Sequence, residues 1–249
     1  MAEYASESGH FYKRNGEPAY TYLNAKGEEK NTTLREARKF GWYPSVTSII
    51  GLAAKFGLDQ WKQEQTILAC LTLPKIEGES EADFIKRLRE DAKAQAKQAA
   101  GKGTEIHGYI ERGFRGDITE EENGFEYYKS VYKTLYAECG VQEWSAEKSF
   151  ASPLGYGGKV DLHSAEYLID FKGTDKPLES LKFWDEHCQQ LSAYDAGIPP
   201  DGRKCGICYV HRETSESRLV WIDEKELIKG WKCFKALLEY WWAKTGLER

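Results

Sequence analysis

The sequence predicts an α/β fold in which a central mixed β-sheet is flanked by helices and follows an N-terminal helical extension. Helical patterns fill most of residues 45–138, three strand-like segments follow, and a helix, two more strands and a C-terminal helix complete the order. Strands and helices in this order are typical of a layered α/β domain with a mixed sheet. The predicted strands are 142–151, 157–164, 167–172, 204–211 and 217–222.

The length and composition limit the protein class. A chain of 249 residues can form one large domain with a sizeable core. We expect a single domain over 1–249, with an N-terminal hairpin and helical region in 1–100 and the core in 101–249. The first residues show no secretory signal, and no apolar run approaches the ~20 residues of a membrane span. The six cysteines are scattered, so we expect a cytoplasmic protein with no membrane partner.

The net charge limits the kinds of binding partner that the sequence allows. The formal charge is −5 at pH 7, which counts against a protein that coats nucleic acid through bulk electrostatics. A local basic channel and an acidic centre that binds a metal both remain compatible with this charge.

Several local elements can be predicted before the sheet. Residues 10–23 have the pattern of a β-hairpin, and Ser45 is predicted to be the N-cap of a short helix. Residues 80–99 are strongly helical, and we expect Gly101-Lys102-Gly103 to break that helix. After the first three strands, a helix is predicted over 178–196.

The sharpest signal is a pair of aspartates and a lysine on consecutive strands. Asp161 closes Gly158-Lys159-Val160-Asp161, and Asp170 and Lys172 follow in Asp170-Phe171-Lys172. Because strand side chains alternate, Asp170 and Lys172 share a face. If Ala165-Glu166 form a two-residue turn, Asp161 lies opposite Asp170, with Cβ atoms about 4.5–5.5 Å apart.

Two carboxylates this close repel each other by roughly 3 kcal/mol at an effective dielectric of about 20. A divalent cation offsets that repulsion, and two carboxylates, a metal and a lysine can activate water against a phosphate. The alternative is two solvated acids at strand ends with a surface lysine. Asp170 argues against it, because this residue lies inside an apolar run where an unpaired charge is costly.

Four more residues are candidates, each with a structural alternative. His107 can join the acidic pair or serve a structural role on its helix. Glu147 can be a further acid on the metal side or a surface charge. Gln190 and Tyr194 share a helical face at i, i+4, where they can clamp a phosphate or base, or pack in the core.

Three lysines form a helical stripe. Lys86, Lys93 and Lys97 recur at i, i+7 and i+11 and therefore lie along one helical face. The stripe is either ordinary solvated surface or a wall that grips a nucleic-acid backbone.

Taken together, these residues resemble the PD-(D/E)XK nuclease superfamily, and within it the branch of the mitochondrial genome-maintenance exonuclease and related phage exonucleases. Five motifs occur in the family order over residues 44–194. They are Pro44-Ser45-Val46-Thr47, Gly103-x-x-x-His107, Gly158-x-x-Asp161, Asp170-x-Lys172 and Gln190-x-x-x-Tyr194.

The resemblance implies a restriction-endonuclease-like core and a metal centre. In such a centre Asp161 and Asp170 ligate Mg²⁺ or Mn²⁺, together with the Phe171 backbone carbonyl and His107. Lys172 orients or deprotonates the attacking water and offsets charge in the transition state.

The remaining roles also follow from the resemblance. Gln190 and Tyr194 position the substrate strand, and Glu147 holds a second metal or its water shell. The helical region in 1–100, with its three lysines, forms part of a DNA channel.

The implied function is a metal-dependent DNA exonuclease that acts on strand ends and favours single-stranded DNA. Its setting would be replication, recombination or repair in a bacterial or phage-infected cell, beside replication or recombination proteins. A structure-specific endonuclease of the same fold and a non-catalytic nucleic-acid-binding module are the alternatives.

Overall fold

The computed structural model describes residues 10–53 and 56–247. Within these ranges the chain forms short strands near its start, two long helices, and then a larger sheet with helices. The strands are β1 Phe11–Tyr12, β2 Thr21–Leu23, β3 Glu29–Asn31, β4 Tyr43–Pro44, β5 Ser145–Ser152, β6 Tyr156–His163, β7 Tyr167–Thr174, β8 Lys204–His211 and β9 Ser217–Trp221. The helices are α1 Leu34–Phe40, α2 Val46–Ile50, α3 Phe56–Thr72, α4 Glu81–Arg115, α5 Phe125–Cys139, α6 Asp185–Gly197 and α7 Glu224–Thr245, with a short 3-10 helix at Leu178–Ser180.

The main sheet has five strands in the order β5-β6-β7-β8-β9. Neighbouring strands are antiparallel except β7 and β8, which are parallel. A parallel pair needs a crossover, and here the 3-10 helix and α6 connect the two strands. The predicted α/β fold with a mixed sheet flanked by helices is therefore confirmed.

The largest core lies between this sheet and three helices. Val160 and Leu168 from the strands pack with Leu191 of α6, Phe234 of α7 and Ile49 of α2, and all five are completely buried. Apolar burial of about 1.5–3 kcal/mol per large side chain holds α6 against the sheet. This packing fixes the helix that carries Gln190 and Tyr194.

Within the described ranges, no helix is both long enough and apolar enough to cross a membrane.

The chain divides into two compact units. One contains residues 10–53 and 107–247, and the other contains the described part of 54–106. The expected single domain over 1–249, with a region 1–100 and a core in 101–249, stays a prediction. Residues 10–53 belong to the unit that carries the sheet. The physical reason is a small apolar cluster in which Phe11, Ala19 and Ala37 pack against Trp241 of α7.

The predicted N-terminal hairpin is only partly correct. A tight turn does form after Lys13, but the ladder stops at one bridge, Tyr12↔Pro18. Lys13 N–H donates to the Glu17 carbonyl at 2.8 Å and Ala19 N–H donates to the Phe11 carbonyl at 2.8 Å, one on each side of that bridge. The other edge of β1 pairs with β4, through Phe11↔Pro44, and β2 pairs with β3.

Two helix boundaries also differ from the prediction. No break occurs at Gly101-Lys102-Gly103, because α4 runs without interruption from Glu81 to Arg115. A glycine in a helix costs only about 1 kcal/mol relative to alanine, and the flanking helix formers outweigh that cost. The helix predicted over 178–196 begins at Asp185, after the short 3-10 turn.

The predicted helix start at Ser45 is confirmed. Its hydroxyl accepts a hydrogen bond of 3.0 Å from the Ser48 N–H, as an N-cap should. Ser45 also bridges to Gly157 of β6, so the motif around Pro44 is tied directly to the main sheet.

Candidate active site

The turn between β6 and β7 sets the register of the two strands. Ser164 N–H donates to the Tyr167 carbonyl at 2.9 Å, which leaves Ala165 and Glu166 as the two central residues. The ladder then pairs His163 with Leu168 and Leu162 with Ile169. This is the predicted register.

The regular pairing ends at Asp161. On one side of Asp161, the β6–β7 ladder stops at Leu162↔Ile169. On the other side, β5 and β6 pair through Ala146↔Leu162 and Lys148↔Val160, and Asp161 between them is unpaired. In place of a strand carbonyl, the Asp161 carboxylate accepts the Phe171 N–H at 2.8 Å. Asp161 therefore occupies the gap where β6 and β7 separate.

Asp170 and Lys172 lie next to this gap. Asp170 is 2% exposed, and its Oδ2 atom lies 2.6 Å from the Lys172 ammonium. Their common face, predicted from strand alternation, is thus observed as a direct ion pair. The cation compensates the buried carboxylate, which would otherwise be costly.

Helix α6 supplies the other contacts of Asp170. Gln190 Nε2 donates to Asp170 Oδ1 at 2.9 Å and to the Tyr194 hydroxyl at 3.1 Å. Burial, followed by the nearby carboxylates, raises the pKa of the Tyr194 phenol, so this hydroxyl stays protonated. The two residues predicted to share a helical face are joined to the acidic centre.

His107 approaches from the opposite face of the sheet. Its Nδ1 atom lies 3.5 Å from Asp161 Oδ2, and its ring meets the Phe171 ring edge-on at 5.9 Å between centroids. Phe171 and Asp170 project to opposite faces because successive strand residues alternate. The site is therefore enclosed by His107 on one face and Gln190 on the other.

The charges of the site influence one another. Burial alone would lower the pKa of His107, but the Asp161 and Asp170 carboxylates outweigh burial and raise it. Burial likewise opposes the charged form of Lys172, and the same two carboxylates raise its pKa. The Asp161 and Asp170 carboxylates thus favour the charged forms of His107 and Lys172.

The two aspartates differ. Burial disfavours both anions, yet His107 and then Lys172 hold the pKa of Asp161 below its usual value. For Asp170, burial prevails over Lys172, and the Asp161 charge adds to it, so the pKa is raised. A pair of acids in unequal environments is a common mark of a functional site.

Glu147 lies on β5 between the residues that pair with the two neighbours of Asp161. Its backbone is left-handed, with φ 57°, which is unusual for a residue with a side chain. Its carboxylate forms an ion pair with Lys159, two residues before Asp161. The sequence analysis did not select Lys159, although it lies inside the Gly158-x-x-Asp161 motif. A role for Glu147 in binding a second metal stays a prediction.

Lys86, Lys93 and Lys97 lie on α4 in the unit formed by residues 54–106, and all three are exposed. Their helix is continuous, so the predicted common face is preserved. Their contribution to a DNA channel stays a prediction.

A hard divalent cation prefers oxygen ligands, which the site can supply from its carboxylates and a backbone carbonyl. Mg²⁺ commonly takes one or two protein carboxylates and completes its shell with water and substrate phosphate. Asp170 Oδ2 is buried and accepts no well-directed hydrogen bond from the described residues. Within these residues, no three His, Cys, Asp or Glu side chains are grouped closely enough to hold an ion by themselves. A two-carboxylate site with water and a backbone carbonyl therefore fits better than a closed protein cage.

Comparisons with known proteins give structural likenesses at low identity. A candidate exonuclease from Eubacterium rectale is 11% identical, and the likeness covers 59% of this chain and 69% of that chain at a TM-score of 0.42. An alkaline exonuclease from Laribacter hongkongensis is 15% identical over 68% of this chain and 88% of that chain, at a TM-score of 0.34. No family model matches the chain, and no curated protein matches it. At these TM-scores neither likeness determines the function, which has to be inferred from the site itself.

Proposed function

We propose that this protein is a metal-dependent deoxyribonuclease that hydrolyses phosphodiester bonds from strand ends and favours single-stranded DNA. The observation that carries the proposal is the contact of Asp170 with both Lys172 and Gln190, beside the pair of Asp161 and His107. These are the residues on which the resemblance to PD-(D/E)XK nucleases rests, and they belong to one site.

Asp161, Asp170 and the Phe171 carbonyl are the groups that would hold Mg²⁺ or Mn²⁺, with His107 beside them. When bound, the cation supplies Lewis-acid polarisation of the phosphoryl oxygen and lowers the pKa of its water. The protein residues contribute position and charge. Because Phe171 N–H binds Asp161 Oδ2, that carboxylate is fixed before any ligand arrives.

Lys172 is the residue placed to act on the attacking water. Its ammonium lies at the rim of the site, and its side chain is about one third exposed, so it can reach both the carboxylates and the solvent. Its raised pKa favours the ammonium, which has no lone pair to take up a proton, so it orients the water and offsets charge that develops on the phosphate. Gln190 donates hydrogen bonds to Asp170 and to the Tyr194 hydroxyl. Gln190 and Tyr194 together position the substrate strand.

The test uses end-labelled single-stranded and double-stranded oligonucleotides with Mg²⁺ or Mn²⁺, and covalently closed circles as a third substrate. We expect digestion of linear single strands, which stops with EDTA and returns with excess metal. Asp161→Asn should lower the rate by at least about 100-fold, since it removes an anionic ligand. Asp201→Asn, which changes an exposed aspartate between α6 and β8, is the matched control and should retain full rate.

Three results would contradict the proposal. Digestion that persists in EDTA would reject the metal requirement. Rapid cutting of closed circles would favour an endonuclease of the same fold. Binding of DNA without hydrolysis under any metal condition would leave a non-catalytic binding module.

A further inference from the structure

A row of aromatic side chains crosses the surface of the unit that carries the sheet. We call it the aromatic ridge, and it consists of Phe114, Tyr128, Tyr132, Trp144, Tyr167 and Trp221. Each ring has a neighbour in the ridge within 6.4 Å between centroids. The six residues come from five elements or their flanks, so the ridge is produced by the fold and is not a local sequence feature.

The ridge is partly accessible to solvent. Five of its members are half-buried, and Tyr132 is 46% exposed. Tyr136 continues the row by stacking on Tyr132 at 6.3 Å, and it is 55% exposed. Exposing the apolar faces of these rings to water costs free energy, so such a surface often marks a binding site.

The ridge lies on the same face of the sheet as His107. Tyr167 and Phe171 share that face on β7, four residues or about 13 Å apart. Phe114 follows His107 by seven residues on α4, two turns or about 10 Å along nearly the same helical face. Asp170 and Lys172 project to the other face, so a polymer that crosses the ridge reaches the site from the His107 side, at the opening beside Asp161.

A cation accompanies the rings. The Lys204 ammonium lies 3.9 Å from the centre of the Trp221 ring and forms no ion pair with another described residue. Flat rings interspersed with cations are the recurring composition of surfaces that bind single-stranded nucleic acid. Acids are present as well, since Glu138 accepts the Trp221 indole N–H at 3.1 Å.

We propose that the aromatic ridge stacks the bases of a single-stranded DNA substrate on its way to the active site. This inference rests on the proposed function for the identity of the polymer. The ridge would supply affinity and strand selection, and it would leave the hydrolytic step to the aspartates and lysine. Stacking of this kind tolerates any base, because every base offers a π-face.

The experiment measures binding in EDTA, so that no hydrolysis is needed. The full chain is titrated into fluorescein-labelled dT20, and the dissociation constant is read by anisotropy. Tyr132→Ala and Trp144→Ala should each weaken binding by about 5- to 100-fold, the loss expected for one stacked base. Tyr132→Phe should bind like the unchanged protein, since it keeps the ring.

Tyr240→Ala is the matched control, because Tyr240 is an equally exposed tyrosine, 54% accessible, on α7. It should bind dT20 normally. A second probe, an oligonucleotide of abasic sites, retains the phosphates but offers no bases. The unchanged protein should bind it weakly, and Tyr132→Ala should cause no further loss. With active enzyme, Tyr132→Ala should raise KM and change kcat less than about twofold.

The outcomes separate this inference from the proposed function. If dT20 affinity falls as expected but no variant of the chain hydrolyses DNA, the ridge stands and the nuclease fails. If hydrolysis is metal-dependent but Tyr132→Ala and Trp144→Ala bind dT20 normally, the ridge proposal is wrong. Equal losses on duplex DNA would reject base stacking. If sedimentation shows that a ridge variant converts a dimer to a monomer while dT20 binding is unchanged, the surface is an interface between two copies of this chain and the ridge proposal is wrong.

Discussion

Strand β7 has two different edges. Towards β8 it pairs through all eight residues, from Tyr167↔Lys204 to Thr174↔His211. Towards β6 it pairs through only Ile169 and Leu168, and the strands then separate at Asp161. The same strand thus carries a regular ladder on one side and an opening on the other.

This difference gives the two edges of β7 different roles: one holds the strand in the sheet, and the other leaves the Asp161 carboxylate outside the ladder. The regular edge fixes Asp170 opposite Ile207 and Lys172 opposite Tyr209, so the two charged residues have a rigid backbone. The open edge leaves room for the Asp161 carboxylate, which takes up the Phe171 N–H in place of a strand carbonyl. In the proposed mechanism, the substrate phosphate and the cation bind where the ladder is open.

The largest effect should come from the open edge. Lys172→Met should lower the rate of DNA hydrolysis by about 10²–10³-fold, because the cation that orients the water and offsets charge on the phosphate is lost. Because the Lys172 ammonium compensates the buried Asp170 carboxylate, the free energy of unfolding should fall as well, so the rate is compared at a temperature where the variant is fully folded. Single-turnover rates on a saturating oligonucleotide measure the first quantity, and urea unfolding measures the second.

Lys176→Met serves as the control, because Lys176 is an exposed lysine just beyond the same strand. It should leave the rate unchanged. A Lys172→Met protein with a normal rate would remove Lys172 from the mechanism. A loss of rate no larger than the loss of folded protein would mean that Lys172 acts through stability alone.

The regular edge should give the second largest effect, on stability. Ile207 is fully buried between Asp170 of β7 and Val220 of β9. Ile207→Ala should lower the free energy of unfolding by about 2–5 kcal/mol, while Ile207→Val should lower it by about 0.5–1.5 kcal/mol. Both are measured by urea unfolding.

At a temperature where Ile207→Val is fully folded, its hydrolysis rate should stay near that of the unchanged protein. A loss of rate much larger than the loss of folded protein would mean that the regular edge tunes the chemistry as well as carrying it.

Local patterns predicted the regular features well. The five-stranded mixed sheet and the β6–β7 register follow from alternation and from a two-residue turn. That turn has a physical support that the dipeptide Ala165-Glu166 does not reveal by itself, since the Ser164 hydroxyl accepts the Tyr167 N–H at 3.1 Å. The contacts of Gln190 with Asp170 also agree with the predicted convergence of the motifs.

Features that depend on distant partners were not predictable in this way. The pairing of β1 with β4 joins residues more than thirty positions apart, and only the tertiary fold favours it over the local hairpin. The continuity of α4 through Gly101 and Gly103 is a balance of small propensities. The left-handed backbone of Glu147 lies beside the break in the ladder at Asp161, and no residue pattern in β5 predicts either feature.

The smallest effect should come from that backbone. A side chain in the left-handed region costs about 1 kcal/mol or more, and glycine avoids this cost. Glu147→Ala and Glu147→Gly both lose the ion pair with Lys159, so their difference isolates the backbone. Glu147→Gly should therefore be about 1 kcal/mol more stable than Glu147→Ala in urea unfolding.

The same pair of substitutions at Ser149 provides the control, because Ser149 pairs regularly with Lys159 on the same strand. There the order should reverse, since glycine weakens an ordinary strand position. If alanine were the more stable residue at both positions, Glu147 would carry no strain, and the opening at Asp161 would need no distortion of β5. If the order does reverse, strain at Glu147 is part of how the sheet keeps Asp161 out of the ladder and available to a ligand.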